Sequence, residues 1–365
     1  MDFGLIMFPT GYAIQPNVLA KEAELRGFES IWFPEHTHIP ASRESAWPGG
    51  PDLPKEYWST YDPFVALSFA AQATSTIKLG TGICLVIERD PITLAKEISS
   101  IDQLSQGRFM LGIGGGWNAE EMANHGTDFK TRFGRLRETI LAMKTIWNND
   151  SAEFHGQYVD FDAIWSFPKP LQKPNPPILM GGDGRSTFDR VTEFCDGWMP
   201  IWGRTTNSVN GNNLEEKIEN LRSKWTNSER GDSDLDITLF GVPPEGEAVE
   251  KALSMGANRV IFATPCAEES VVIPHLDTTS EPMNRATLAI NAFRIKILPS
   301  VRFLESCSKR RLRAHIRSPH TRHGTSRVIM ASLMMSAFSS KCVRALEFFP
   351  ESLARPARRV RRAAS

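Results

Sequence analysis

Apolar residues fall in short runs that alternate with stretches of helical spacing. Runs at Asp2–Phe8, Glu29–Phe33, Ile77–Leu85, Arg108–Ile113, Pro177–Met180, Trp198–Ile201, Asp236–Phe240 and Arg259–Phe262 read as buried strands. Helical patterns separate them at Pro16–Arg26, Asp62–Ser75, Pro91–Leu104, about Asn118–Trp147, Arg185–Cys195, Leu214–Trp225 and Glu247–Leu253, and a short stretch at Ala267–Leu276 follows the last strand. Gly27 suits the residue after a helix, Asp62-Pro63 suits a helix start, and Ser105-Gln106-Gly107 reads as a turn. Strict strand–helix alternation implies parallel strands joined by right-handed crossovers. Eight such units predict an α/β fold, a closed (β/α)8 TIM barrel. Two connections exceed ordinary loops: His36–Tyr61, rich in Pro, Gly, Trp and Tyr, and Ser151–Pro176, which alternates as a hairpin does.

Composition changes this picture at one place. The 365 residues are 41% hydrophobic and 23% charged with a formal charge of zero, ordinary for a globular chain. From Thr279 onward, however, 18 Lys and Arg stand against 4 Asp and Glu, while the first 278 residues hold 24 against 38. The chain thus divides into an expected barrel domain at 1–278 and a basic Arg/Ser-rich extension at 279–365, expected to lie outside the fold and to be poorly ordered. The extension has no Trp or Tyr and no known binding motif, so its charge alone does not predict a nucleic-acid partner. Five scattered cysteines without a CxxC pair read as free thiols of a cytoplasmic protein. The N-terminus has no basic region before its apolar stretch, and no apolar run is long enough for a membrane span.

Candidate chemistry gathers at the strand ends. LGIGGGWNAEE places Gly114, Gly115 and Gly116 after the fourth strand, where missing side chains let a flat ligand lie against backbone. Trp117 occupies the third glycine position of a dinucleotide fingerprint, so a Rossmann site is not the expected reading. ILMGGDGRS places Gly181, Gly182, Asp183 and Gly184 before a helix, a phosphate cradle. Glu35-His36-Thr37-His38 closes the second strand. His-x-His is one pattern of metal hydrolases, but the other strand ends supply no further ligands, and His36 reads better as a proton-transfer group. His125 and His155 read as surface or capping residues. No nucleophile elbow or P-loop is present, and Cys84 and Cys195 have no visible histidine partner.

Several segments in order resemble the bacterial luciferase-like flavin and deazaflavin oxidoreductases: GFESIWFPEHTHIP, LGTGICLVIERDPITLAKEISSIDQLSQGRFMLGIGGGWNAEEM, EFHGQYVDFD, PKPLQKPNPPILMGG and CDGWMP. The resemblance covers about residues 2–278 and is nearest the branch that uses coenzyme F420, a deazaflavin. It implies the same barrel with an insertion, and a non-proline cis peptide at Gly82–Ile83 supporting the ring. It further implies backbone contact from Gly114, Gly115 and Gly116, and phosphate contact from Gly181, Gly182, Asp183 and Gly184. His36, with Glu35 beside it, would be catalytic. Trp117 stands where the sugar-phosphate dehydrogenase branch has a catalytic Glu, which argues against that substrate. The implied activity is hydride transfer to or from a small organic substrate, with Trp47, Tyr57 and Trp58 in a lid. The alternatives are an FMN-dependent monooxygenase supplied with reduced flavin by a partner reductase and, of another class, a non-catalytic flavin binder or a nucleic-acid binder through the basic extension. A homodimer is the implied assembly, and no metal or membrane is.

Overall fold

The structure, a computed structural model, describes residues 1–203 and 214–283. Eight parallel strands close into a barrel: β1 (Asp2–Ile6), β2 (Ser30–Phe33), β3 (Lys78–Thr81), β4 (Phe109–Ile113), β7 (Ile178–Gly181), β8 (Gly197–Met199), β9 (Asp236–Phe240) and β10 (Arg259–Ala263). β1 pairs with both β2 and β10, which shuts the sheet. Helices α1 (Pro16–Leu25), α3 (Pro63–Ala73), α4 (Pro91–Leu104), α7 (Thr187–Phe194), α8 (Leu214–Thr226) and α9 (Gly246–Ser254) follow successive strands, and α2 (Glu56–Ser59) lies in the connection after β2. The Ser151–Pro176 connection carries the expected hairpin, β5 (Ala152–His155) against β6 (Asp160–Ile164). No helix among the described residues is long and apolar enough to cross a membrane.

Local chemistry accounts for the helix starts. The Asp62 carboxylate accepts from the Phe64 and Val65 N–H groups ahead of Pro63, and Asp90 accepts from Thr93 ahead of Pro91. Three expectations are corrected. The stretch after Asn118 is two helices, α5 (Ala119–Asn124) and α6 (Arg132–Asn148), because Gly126 at φ +76° turns the chain between them. β3 ends at Thr81; the Gly82–Ile83 bond that follows is cis, and a 3-10 turn occupies Val86–Glu88. The last helix among the described residues, α10, runs over 269–283, beyond the expected end of that stretch at Leu276. Its buried residues Val272, Leu276, Thr279 and Met283 keep one helical face on the core, while Pro274 sits on the solvent side. The extension from residue 284 lies outside the described residues.

The core has two parts. A large apolar layer joins the outer strand faces to the helices, and a smaller one, with Ile6, Trp32, Met110, Leu179, Met199 and Ile261, fills the barrel. Trp32 is the largest of these, fully buried, and donates its indole N–H to Ser30 Oγ at 2.9 Å. Gly80 makes room for it: a Cβ there would fall 2.1 Å from the indole ring. Below Trp32, buried Arg259 donates two hydrogen bonds to Glu29, at 2.8 and 2.9 Å, and one to Asp236 at 3.0 Å.

That floor makes stability depend on acid. Burial alone would raise the Glu29 carboxyl, but Arg259 and Lys78 pull it down to about 2. A carboxyl lowered in the fold adds stability above its ordinary range and loses it as pH falls toward 2. The urea midpoint is therefore expected to drop between about pH 4.5 and 2, and to drop less steeply in Glu29→Gln. Equal slopes for both proteins would exclude Glu29 as the source.

Candidate functional site

The C-terminal ends of the strands open on one mouth. At its centre stands Ile83, just beyond the cis bond. A Cβ on Gly114 would lie 2.7 Å from Ile83 Cδ1, and one on Gly181 would lie 3.2 Å from Ile83 Cγ2. Both glycines are therefore needed for Ile83 to rise between β4 and β7. Gly115 has the same role toward Phe133, at 2.5 Å, and Gly116, at φ +65°, toward Met122. Gly182 is different: its φ is +88° and a Cβ would meet nothing within 4 Å, so its face is open.

Glu35 and His36 are sent opposite ways, as successive side chains of an extended segment are. Glu35, 3% exposed, accepts from the Leu85 N–H and from Arg89 Nε, both at 2.6 Å. Arg89 also holds Glu97, at 3.0 Å, and Asp62. Glu35 thus braces the segment after β3 from below rather than reaching the mouth. His36 donates Nδ1–H to Glu121, at 2.8 and 3.1 Å to its two oxygens. The Glu121 side chain is 1% exposed and that of His36 is 8% exposed. Tyr57 and Trp117 wall the imidazole, with ring centroids at 5.3 and 5.8 Å, while Phe8 and Trp47 pack on Tyr57. The Nε2 atom makes no hydrogen bond among the described residues. An imidazole oriented at Nδ1 and open at Nε2 can take or give one proton there.

Glu121 was not legible as His36's partner, although one signal was present. Asn118 caps α5 by accepting from the Glu121 N–H at 3.2 Å, and Glu three residues after a cap normally turns back on the cap. Here it turns to His36 instead. His38, Thr37 and His125 form a separate outer chain, with Thr37 Oγ1 at 3.0 Å from His38 Nδ1 and 2.7 Å from His125 Nε2. His155 pairs with Asp160 on the exposed hairpin. Among the described residues no group of three or more His, Cys, Asp or Glu is arranged to hold a metal. Cys84 and Cys195 are fully buried, and burial drives both thiols above their ordinary range.

Glu88 adds an unusual charge state. Burial, then the neighbouring Glu121 and Glu35, push its carboxyl up to about 9, and neither oxygen has a hydrogen-bond partner. It borders a cavity of about 360 Å³ shared with His125, Arg135 and Tyr158, on the hairpin side of the loop after β3.

The loop after β7 leads into the N-terminus of α7. Ser186 at the α7 N-cap makes no side-chain cap bond, so the first N–H groups of the helix lack that partner. The Gly182 carbonyl accepts from the Trp198 indole at 2.8 Å, which fixes the loop. Asp183 pairs with Lys217 at 2.5 Å. Lys217 arrives from α8, 34 residues downstream, and no local pattern announced it.

A family model for luciferase-like monooxygenases matches residues 16–289. The chain belongs to this family. An uncharacterised protein of Mycobacterium tuberculosis is 36% identical over 269 residues, covering 73% of this chain and 92% of that one. An F420-dependent hydroxymycolic acid dehydrogenase of the same organism is 28% identical over 183 residues, 49% of this chain and 47% of the relative. An FMNH2-dependent dimethylsulfone monooxygenase of Pseudomonas putida is 34% identical over 137 residues, 37% of this chain and 36% of the relative. This luciferase-like chain is therefore an oxidoreductase of a family with deazaflavin and flavin users among its members.

Proposed function

We propose that the protein holds coenzyme F420 across the barrel mouth and passes a hydride to or from a small organic substrate. The observation that carries this reading is the buried His36–Glu121 pair, a proton-exchanging group aimed at the place where the hydride would pass. A hydride leaving a carbinol carbon must be matched by a proton leaving its oxygen, and His36 Nε2 is positioned to take it. The F420-dependent relative supports the same cofactor.

The residues fit such a group. Gly182 leaves an open face, the α7 N-terminus has no side-chain cap although its Thr187 N–H donates to the Gly184 carbonyl at 3.0 Å, and Lys217, ion-paired with Asp183, stands beside them, a combination suited to a phosphate. Ile83, between Gly114 and Gly181, is a convex apolar support for one face of a ring. Trp47, Tyr57 and Trp117 exclude water from His36 on the opposite side. The bound cofactor supplies the hydride chemistry, and the protein supplies position, dryness and the proton.

Titrating coenzyme F420 and FMN by fluorescence quenching tests the reading. The deazaflavin is expected to bind at least tenfold tighter, and FMN binding tighter would overturn it. Gly182→Val fills the open face at a left-handed φ and is expected to weaken both at least tenfold. The second reading is an FMN-dependent monooxygenase fed by a reductase, and the Pseudomonas putida relative favours it.

A further inference from the structure

Two guanidinium groups beside the mouth make no ion pair among the described residues. Arg132, at the start of α6, lies 3.6 Å from the Phe129 ring centroid and 4.6 Å from that of Phe133. Arg190, on α7, lies 3.8 Å from the Phe133 centroid. The edge of the same Phe133 ring faces Gly115. Stacking on one ring brings the two positive charges together between the loops that follow β4 and β7. The neighbouring acids are already taken: Asp189 by Lys224, Glu193 by Arg137, and Asp183 by Lys217. Arg132 donates through Nη1 to the Phe129 carbonyl at 2.5 Å while its Nε is buried with no hydrogen-bond partner, and Arg190 feels burial, the attraction of Asp189 and the repulsion of Arg132. Like charges held this close, with carboxylates turned elsewhere, make a seat that an anion would complete.

We propose that Arg132 and Arg190 form a second anion seat, separate from the Gly182–Gly184 loop, that takes carboxylates carried on the cofactor's chain beyond its phosphate. The proposal rests on the cofactor reading above and deepens it, because the two candidate cofactors differ at this point. The chain of FMN ends at the phosphate, whereas that of coenzyme F420 continues into a carboxylate-bearing tail. The phosphate, common to both, has its own donors at α7 and Lys217. The Arg pair would then select between cofactors by reading what lies past the shared group, the geometry of a guanidinium fork suiting a carboxylate.

The test compares wild type with the R132Q/R190Q double variant on three probes: intact coenzyme F420, F420 stripped of its tail glutamates, and FMN. The variant is expected to lose at least tenfold in affinity for intact F420 while binding stripped F420 and FMN within twofold of wild type. A parallel loss on all three probes would mean the pair serves the phosphate, and no loss on any would mean it serves none; either overturns the proposal. R190Q alone, whose only described side-chain contact is the Phe133 stack, repeats the test if the double variant melts early. Wild type that binds none of the three removes the cofactor reading and this proposal with it. Wild type that binds all three alike removes the proposal alone.

Discussion

His36→Ala is expected to lower kcat by about 100- to 10,000-fold on any substrate that supports turnover, with cofactor affinity changed less than threefold. The imidazole sits beside the mouth, not in the loop after β7, so its loss should fall on the chemical step. Glu121→Gln should follow in the same direction with a smaller loss, because an amide oxygen can still accept from Nδ1–H but makes the weaker, uncharged hydrogen bond. Rapid-mixing measurement of hydride transfer in both variants checks this. A His36→Ala variant that turns over at the wild-type rate would remove the imidazole from the chemistry.

Glu35→Gln carries the largest stability cost. Its carboxylate serves the Leu85 N–H and the buried face of Arg89, a guanidinium whose side chain is 13% exposed. Taking one anion from a buried network costs roughly 3–5 kcal/mol. For a chain of this size that is a fall in Tm of roughly 4–8 °C. Differential scanning calorimetry reads it directly. Turnover per folded molecule at low temperature separates bracing from chemistry: it should survive in Glu35→Gln and fail in His36→Ala. Glu97 and Asp62 remain to hold Arg89, so the loss should stay short of complete unfolding.

These two adjacent residues also mark how far the sequence could be read. Both looked like site residues, and nothing local distinguishes a carboxylate bound for Arg89 from an imidazole bound for Glu121. The partners lie 54 and 85 positions away. The eight barrel strands were legible because each is a short apolar run between turn signals, and the hairpin because Phe154, Tyr158 and Phe161 alternate. Element ends were less so. Apolar character continues through Gly82–Ile83 although the ladder stops at Thr81, and helical spacing continues across Gly126 although the helix does not. α10 failed in the other direction: Pro274 looked like a stop, yet its place on the wet face lets Val272, Leu276, Thr279 and Met283 carry the helix onward. The glycines after β4 read as open to a flat ligand, but Ile83, Phe133 and Met122 occupy that space, and of the glycines after β4 and β7 only Gly182 keeps an open face. Lys217, Arg132 and Arg190 gave no notice, since a cation on an amphipathic helix looks like any solvated residue until the loops are folded beside it.

Trp32 bears on traffic as well as packing. With the indole wedged over Gly80 and Arg259 locked beneath it, the barrel is a vessel stoppered at the bottom. Whatever enters at the rim must leave at the rim. A molecule seated deep cannot depart while another lies over it, so departure runs in the reverse order of arrival. A late-arriving substrate would then slow the exchange of whatever it covers, and that slowing would scale with its own residence time.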